Sequence, residues 1–442
     1  MSEPLAAWYR DGMNRSGDRR GRHAAGAAVL LAAALTVTGC TAGGSGSTAT
    51  TPATPSSTGA PTASEAGASA DEALAAGIRE TVTDRMDEWG LRAVIVRAVR
   101  GEQPILTEAF GESMTGVPAT TDMHFRNGAV AISYVATALL QLVDEGTVTL
   151  DDTLGRWLPD VPNADRVTLG QLGQMTSGYA DYVQDAGFLA QLEADPFRQW
   201  APEELAAFGT AQPLIYEPGT NWNYSHTNYV LLGLALEKIT GEPMELLLQE
   251  RVLDPLGLEN TRASSTPAIE EPVLHAFTAE RRQSLGIPAG TSFLEESTYW
   301  NPSWTITRGA IQYTDIVDLT RTARAIGTGE LLSPASHDEQ LNLDTRGRSS
   351  TIDGCSTCFP HSAIYTYGIG VVMMGDWILQ NPMFSGTAAV EAYLPDEDIS
   401  LAVAVTFEET AFDEDGGVPN RATDLFRALA GVVAPGSAPP TR

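Results

Sequence analysis

Lysine is almost missing from this chain. Of 27 basic residues in 442, only Lys238 is a lysine; the other 26 are arginine. Cysteine is scarce too: Cys40, Cys355 and Cys358 are too few for a disulfide-built scaffold. Positive charge as a whole is short, because 56 acidic residues leave a net charge of −29. There is no basic surplus to neutralise phosphate, so no nucleic-acid partner is expected. What is abundant is core-forming material. Hydrophobic residues make up 43% and charged residues 19%, which excludes wholesale disorder. The length suggests more than one ordinary core.

The first 70 residues read as address and tether. Arg15, Arg19, Arg20 and Arg22 precede an apolar run from Ala24 to Val37, the charged and apolar regions of a secretory signal. The run is too short to span a bilayer comfortably. The twelve residues before Met13 fit neither region, so Met13 is an alternative start to Met1. The run ends in Val37-Thr38-Gly39-Cys40, which resembles the lipobox of bacterial lipoproteins. That resemblance implies a signal peptide over 1–39 and a diacylglycerol on the Cys40 sulfur. Cleavage there leaves 53 acidic and 22 basic residues, a net charge of −31. Such a chain gains nothing from an anionic membrane surface, so lipid must hold it there. Residues 40–70 are rich in Ser, Thr, Gly, Ala and Pro, with one charge at Glu65. They read as a flexible tether with a root-mean-square reach of roughly 30 Å.

The folded part is expected over 71–434, with 435–442 as a disordered tail. Asp71 reads as an N-cap ahead of Leu74, Ile78, Val82 and Met86 at helical spacing. Leu91–Val99 and Pro104–Phe110 read as a hairpin about Gly101. Helices are predicted at Ala129–Val143, Thr168–Met175, Thr227–Thr240, Thr314–Ile326 and Pro419–Val432. Strands are predicted at Tyr365–Met374, Thr387–Leu394 and Ile399–Phe407, the last buried on both faces. Neither end has enough strands alone, so both must share one antiparallel sheet. This is an α+β layout flanked by helices, with a mostly helical insertion over about 150–310.

Several segments, in order, then resemble one family. They are His124-Phe125-Arg126-Asn127-Gly128, Leu139 to Asp152, Met175-Thr176-Ser177-Gly178-Tyr179, Glu217-Pro218-Gly219-Thr220, Tyr224 to Tyr229, Asp254 to Leu258, Tyr367 to Gly370, and Tyr393-Leu394-Pro395. Together they are similar to the penicillin-recognising serine hydrolases: class C β-lactamases, D-Ala-D-Ala carboxypeptidases and related esterases. The resemblance implies a β-lactamase/transpeptidase-like fold and three catalytic parts. These are a Ser-x-x-Lys pair on one helix face, a Tyr-x-Asn motif, and a Lys/His-x-Gly strand that docks substrate beside an oxyanion hole. The sequence departs at each. Ala129 stands at the nucleophile position and Ile132 at the lysine position, and no Ser-x-x-Lys occurs anywhere. Tyr224 is kept, but His226 replaces the asparagine. The third motif falls at Gln380-Asn381-Pro382 or, in a second register, at Phe384-Ser385-Gly386.

Other side chains are candidates for chemistry. Ser133 is the hydroxyl nearest Ala129, with no lysine to activate it, and reads as structural; Ser177 reads likewise. Tyr224, His226 and Ser385 are the ligand-binding candidates, and Trp300, Trp304 and Tyr313 are further candidates for a cleft wall. Cys355 and Cys358 read as a local disulfide in an exported protein. His361 adds one more metal-ligating side chain there, without a fourth, so neither a metal nor another cofactor is expected.

Three readings of function follow. The first is a catalytically degenerate, membrane-anchored lipoprotein that binds a peptidoglycan-related ligand or an envelope protein. The second is an active hydrolase with a relocated nucleophile, and the third a structural envelope protein. The expected location is the extracytoplasmic face of the cell membrane. Replacing Cys40 by Ser is expected to release the signal-cleaved protein from membranes, or to make the signal-bearing form accumulate. Cell fractionation checks this, and unchanged membrane partitioning of the signal-cleaved variant would contradict it.

Overall fold

The computed structural model describes residues 63–263 and 266–440, with side chains from residue 70 on. The expected signal peptide, Cys40 and most of the tether lie outside the described residues. From Asp71 onward the chain forms one compact unit. Helix α1 spans Ala63–Trp89 and so begins eight residues ahead of the expected N-cap. The Ala-rich stretch 63–70 carries helix propensity that composition alone made look like tether. Asp71 lies inside the helix and pairs instead with Arg100.

The hairpin is present, as β1 (Leu91–Arg100) and β2 (Gln103–Met114), followed by the short β3 (Val117–Pro118). Next come β4 (Phe125–Arg126), α2 (Val130–Asp144), α3 (Leu169–Gly173), α4 (Ala186–Ala194), α5 (Pro202–Thr210), α6 (His226–Thr240) and α7 (Met244–Leu248). Then β5 (Gln312–Thr314), α8 (Ile316–Thr328) and α9 (Pro334–Gln340) lead to the late strands. These are β6 (Thr366–Tyr367), β7 (Val372–Met374), β8 (Trp377–Gln380), β9 (Met383–Phe384), β10 (Thr387–Leu394) and β11 (Ile399–Phe407), before the closing helix α10 (Arg421–Val433).

One antiparallel sheet runs β3-β2-β1-β11-β10-β8-β7-β6, with β9 also on β10. The N-terminal β1 pairs with the C-terminal β11 from Leu91↔Phe407 to Arg100↔Ile399, so both chain ends share the sheet as expected. All nine residues of β11 are buried. Neighbouring residues of β8 show why. Trp377 packs edge-on against Phe426 of α10 at 5.3 Å, while Ile378 clusters with Ile326 of α8. Successive side chains point to opposite faces, so α8 and α10 cover opposite faces of the sheet.

Three expectations need correction. The strand read over Tyr365–Met374 is two strands, because Gly370 (φ +72°) turns the chain between β6 and β7. A Cβ at Gly370 would sit 2.4 Å from the Ala136 Cβ, so the turn packs directly on α2. The helical insertion is narrower than 150–310: its α-helices lie between Leu169 and Leu248, and the stretch up to 310 is mostly loops with a few two-residue strands. Pro267, Pro272, Pro288 and Pro302 interrupt any helical run there. Finally, the expected disordered tail is packed as far as it is described. The Trp377 indole N–H donates to the Ser437 carbonyl at 2.8 Å, and Pro440 abuts Gly375.

Phe426 is fully buried and Leu246 is 49% exposed. Phe426→Ala should therefore cost about 3–5 kcal/mol, and Leu246→Ala within about 0.5 kcal/mol, as read by urea denaturation.

Candidate active-site cleft

The segment 125–129 is aimed by its backbone. Phe125 and Arg126 of β4 pair with Thr314 and Tyr313 of β5. Asn127 then clamps to Gln312: its side-chain N–H donates to Gln312 Oε1 at 2.7 Å, and its Oδ1 accepts from the Gln312 N–H at 3.0 Å. Gly128 follows at φ +50°, where a Cβ would lie 2.6 Å from the Pro382 Cβ. Only glycine meets both the left-handed turn and that approach. Ala129 is thereby set at the N-cap of α2, with Ile132 one turn further on and buried.

Both face a cavity of about 90 Å³, whose walls also include Tyr224, His226, Trp304, Tyr365, Gln380 and Phe384. So Ala129, Ile132, Tyr224 and His226, scattered over nearly a hundred residues of sequence, converge. Tyr224 packs edge-on against His226, ring centroids 5.3 Å apart. Trp304 stacks on Phe384 at 5.8 Å. Its loop is held by Tyr182, whose hydroxyl donates to the carbonyls of Trp304 (2.6 Å) and Thr305 (2.9 Å). Trp300 and Tyr313 are not on these walls; Trp300 packs under Arg281, and the Tyr313 hydroxyl donates to Glu270.

All three residues of the first register of the third motif reach the cleft, whereas of the second register only Phe384 does. Gln380, Asn381 and Pro382 lie on the wall. The Gln380 Nε2 donates to the Gly370 carbonyl at 2.6 Å, which fixes the amide. Pro382 has no N–H to offer a ligand, although its carbonyl accepts from Ala389 at 3.0 Å. Ser385 does not line the cleft. It is buried, and its hydroxyl donates to Glu280 Oε2 at 2.9 Å. Burial lifts the Glu280 carboxyl to about 7 despite that bond. Ser385 therefore belongs to a buried polar contact, and the ligand-binding expectation for it is withdrawn.

The other serines are structural. Ser133 is buried and its hydroxyl donates to the Val130 carbonyl at 2.7 Å, back along its own helix. Ser177 donates to Asn228 Oδ1 at 2.5 Å and accepts from the Tyr179 N–H at 3.1 Å. Lys238 is exposed in the last turn of α6, about 18 Å along the helix from His226, too far to act as a base in the cleft.

Sequence reasoning missed one residue here. Asp181 is buried, and its carboxylate meets His226 Nδ1 at 3.1 and 3.3 Å. It also accepts the backbone N–H groups of His226 (3.1 Å) and Val183 (3.3 Å). Its only sequence signal was its place two residues beyond the recognised segment ending at Tyr179.

Cys355 and Cys358 are bonded, as expected. His361 is not turned toward a metal set: its Nδ1 contacts Thr345 Oγ1 at 2.7 Å and its ring lies against Trp222. Burial, and then the nearby Arg346 charge, push its imidazole down to about 3. Among the described residues no group of three or more His, Cys, Asp or Glu side chains is placed to hold a metal ion. Nor is any described helix long and apolar enough to cross a membrane.

With this geometry in place, similarity to known proteins is informative. Penicillin-binding protein 4 of Amycolatopsis lactamdurans is 36% identical over 153 residues, covering 33% of this chain and 38% of that protein. Penicillin-binding protein 4* of Bacillus subtilis is 24% identical over 305 residues, 65% of this chain and 59% of that protein. The chain thus spans between about two fifths and three fifths of these curated relatives. A D-stereospecific amidohydrolase from Streptomyces sp. shares the fold with a TM-score of 0.63 at 24% identity, over 83% of this chain and 98% of that one. The D-amino acid amidase of Ochrobactrum anthropi, complexed with D-phenylalanine, does so with a TM-score of 0.67 at 20% identity, over 81% and 99%. A sequence profile of the family described as Beta-lactamase matches residues 78–423, the β1–β11 sheet and everything inserted in it. The chain belongs to the beta-lactamase family.

Proposed function

We propose that this protein is an exported, lipid-anchored member of the family that has given up acyl-enzyme chemistry and holds a cell-envelope ligand without a covalent bond. The observation that carries the reading is the pair Ala129 and Ile132 on the cleft wall, at the start of α2. A methyl group cannot attack an acyl carbon, and a buried isoleucine cannot take a proton. A lysine left there without its serine would be a buried charge with little to compensate it, so the two losses belong together.

The cleft itself favours a binding role over a purely structural one. It has not closed around Ile132, and Tyr224 and His226 converge on it. A peptidoglycan-related fragment is the ligand class that the penicillin-binding relatives suggest, with an envelope protein as the alternative partner. The anchor and the extracytoplasmic location rest on the Cys40 motif.

Intact-mass spectrometry after incubation with a fluorescent penicillin, and separately with a fluorophosphonate, tests the reading. Wild-type protein should show no added mass. A stable adduct mapped to Ser133, Ser177 or Ser385, and abolished by mutating that serine, would overturn it and establish a relocated nucleophile.

A further inference from the structure

The loop closed by the Cys355–Cys358 bond lies outside the catalytic positions, yet it braces the cleft. Phe359, next to Cys358, is buried against Trp222 and Tyr365, with ring centroids 5.0 and 5.2 Å away. Tyr365 is on the cleft wall, and Trp222 stands two residues before Tyr224, which is also on it. Inside the loop, the Ser356 hydroxyl donates to Gln184 Oε1 at 3.2 Å. Gln184 ends the turn that Asp181 caps, and Asp181 in turn holds His226. Just ahead of the loop, the Ser350 N–H donates to Asn221 Oδ1 at 2.8 Å, and its carbonyl accepts from Asn221 Nδ2 at 3.1 Å. The stretch 350–359 therefore supports the wall segment 221–226 at its start, behind Trp222, and through the 181–184 turn.

The two sulfurs are not equivalent. Cys358 is 3% exposed and sits between the buried Thr357 and Phe359, whereas Cys355 is only half-buried. An attacking thiolate can reach Cys355 and not Cys358. The cysteines are only three positions apart, so their bond closes a very short ring. Such a ring restricts the unfolded chain little, and losing it should leave the fold as a whole standing. The effect of losing it is local. Two thiol sulfurs cannot stay at bonding distance, so one must move. Cys358 is walled in, and the displacement falls on Cys355 and Ser356, the residue that holds Gln184.

We propose that Cys355–Cys358 is a reversible redox site, reduced by a dithiol, whose oxidised state holds the cleft walls in place and whose reduced state loosens them. One thiolate of the dithiol attacks the Cys355 sulfur. The Cys355–Cys358 bond breaks, and Cys358 leaves with the electron pair and takes up a proton. The second thiolate of the dithiol then attacks the dithiol sulfur now bonded to Cys355. That closes the reductant's own disulfide and releases Cys355 as a thiol. The protein disulfide gains two electrons and two protons, and the dithiol gives up both. With the bond open, Ser356 leaves Gln184, and the 181–184 turn and the segment 221–226 lose a support. The disulfide governs the walls and not their occupant, so this holds whichever ligand the cleft takes.

The test treats the full-length protein with dithiothreitol without denaturant, then alkylates it with iodoacetamide and maps the labelled peptides by mass. Both Cys355 and Cys358 should be labelled. Hydrogen–deuterium exchange is then compared between oxidised and reduced protein. Peptides covering 181–184 and 221–226 should exchange about tenfold faster after reduction, while those of β1 and β11 stay unchanged. Reoxidation with glutathione disulfide should restore the slow rates. Cys355→Ser should exchange like reduced wild type and ignore dithiothreitol. A disulfide that resists dithiothreitol until the protein is denatured would overturn the proposal. So would reduction that leaves 181–184 and 221–226 unchanged, which means a local staple only, or reduction that speeds β1 and β11 equally, which means loss of the whole fold. The wild-type results need no variant, so they stand even if Cys355→Ser fails to fold.

Discussion

The cleft depends on one close approach, that of Gly128 to Pro382. With 2.6 Å between a would-be Cβ at 128 and the Pro382 Cβ, no side chain fits between the start of α2 and the strand beside it. The Asn127–Gln312 clamp locks the same turn from the other side. Position 129 is held against 380–384 by backbone and by Pro382, not by any catalytic side chain. The cleft therefore stands open with Ala129 and Ile132 on its wall: the groups that build it are not the groups that would do acyl-transfer chemistry.

The same separation explains what the sequence disclosed and what it hid. Local patterns sufficed for the β1–β2 hairpin, for α2, and for β10 and β11, whose ends match the structure. The run Ile399–Phe407, apolar except for Ser400 and Thr406, could be read as doubly covered because Leu401–Val405 does not alternate. The split of Tyr365–Met374 was not legible, because it depends on Gly370 packing against Ala136, a tertiary contact. Helix α1 and the packed tail were misread for a related reason. Both stretches look like linkers by composition, but alanine also carries helix propensity, and the tail meets Trp377 and Gly375.

At the site, Ala129, Ile132, Tyr224 and His226, picked out by motif order, line one cavity. It could not choose between the two strand registers; in the structure Gln380, Asn381 and Pro382 all line the wall, while of the second register only Phe384 does and Ser385 is turned away to Glu280. Asp181 was invisible for a physical reason. It lies 45 residues before His226, and only the packing of the 181–184 turn on the start of α6 brings carboxylate and imidazole together.

If the cleft is the family's acyl-transfer site lacking two side chains, restoring both is the direct measurement. The double variant Ala129→Ser, Ile132→Lys should be made and its melting temperature compared with wild type. Its uptake of a fluorescent penicillin should then be followed by intact mass. Slow acylation, mapped to the peptide carrying position 129 and absent from wild type, is the expected result. A double variant that melts with wild type and still takes up no label would contradict the view that only the reacting groups have been lost.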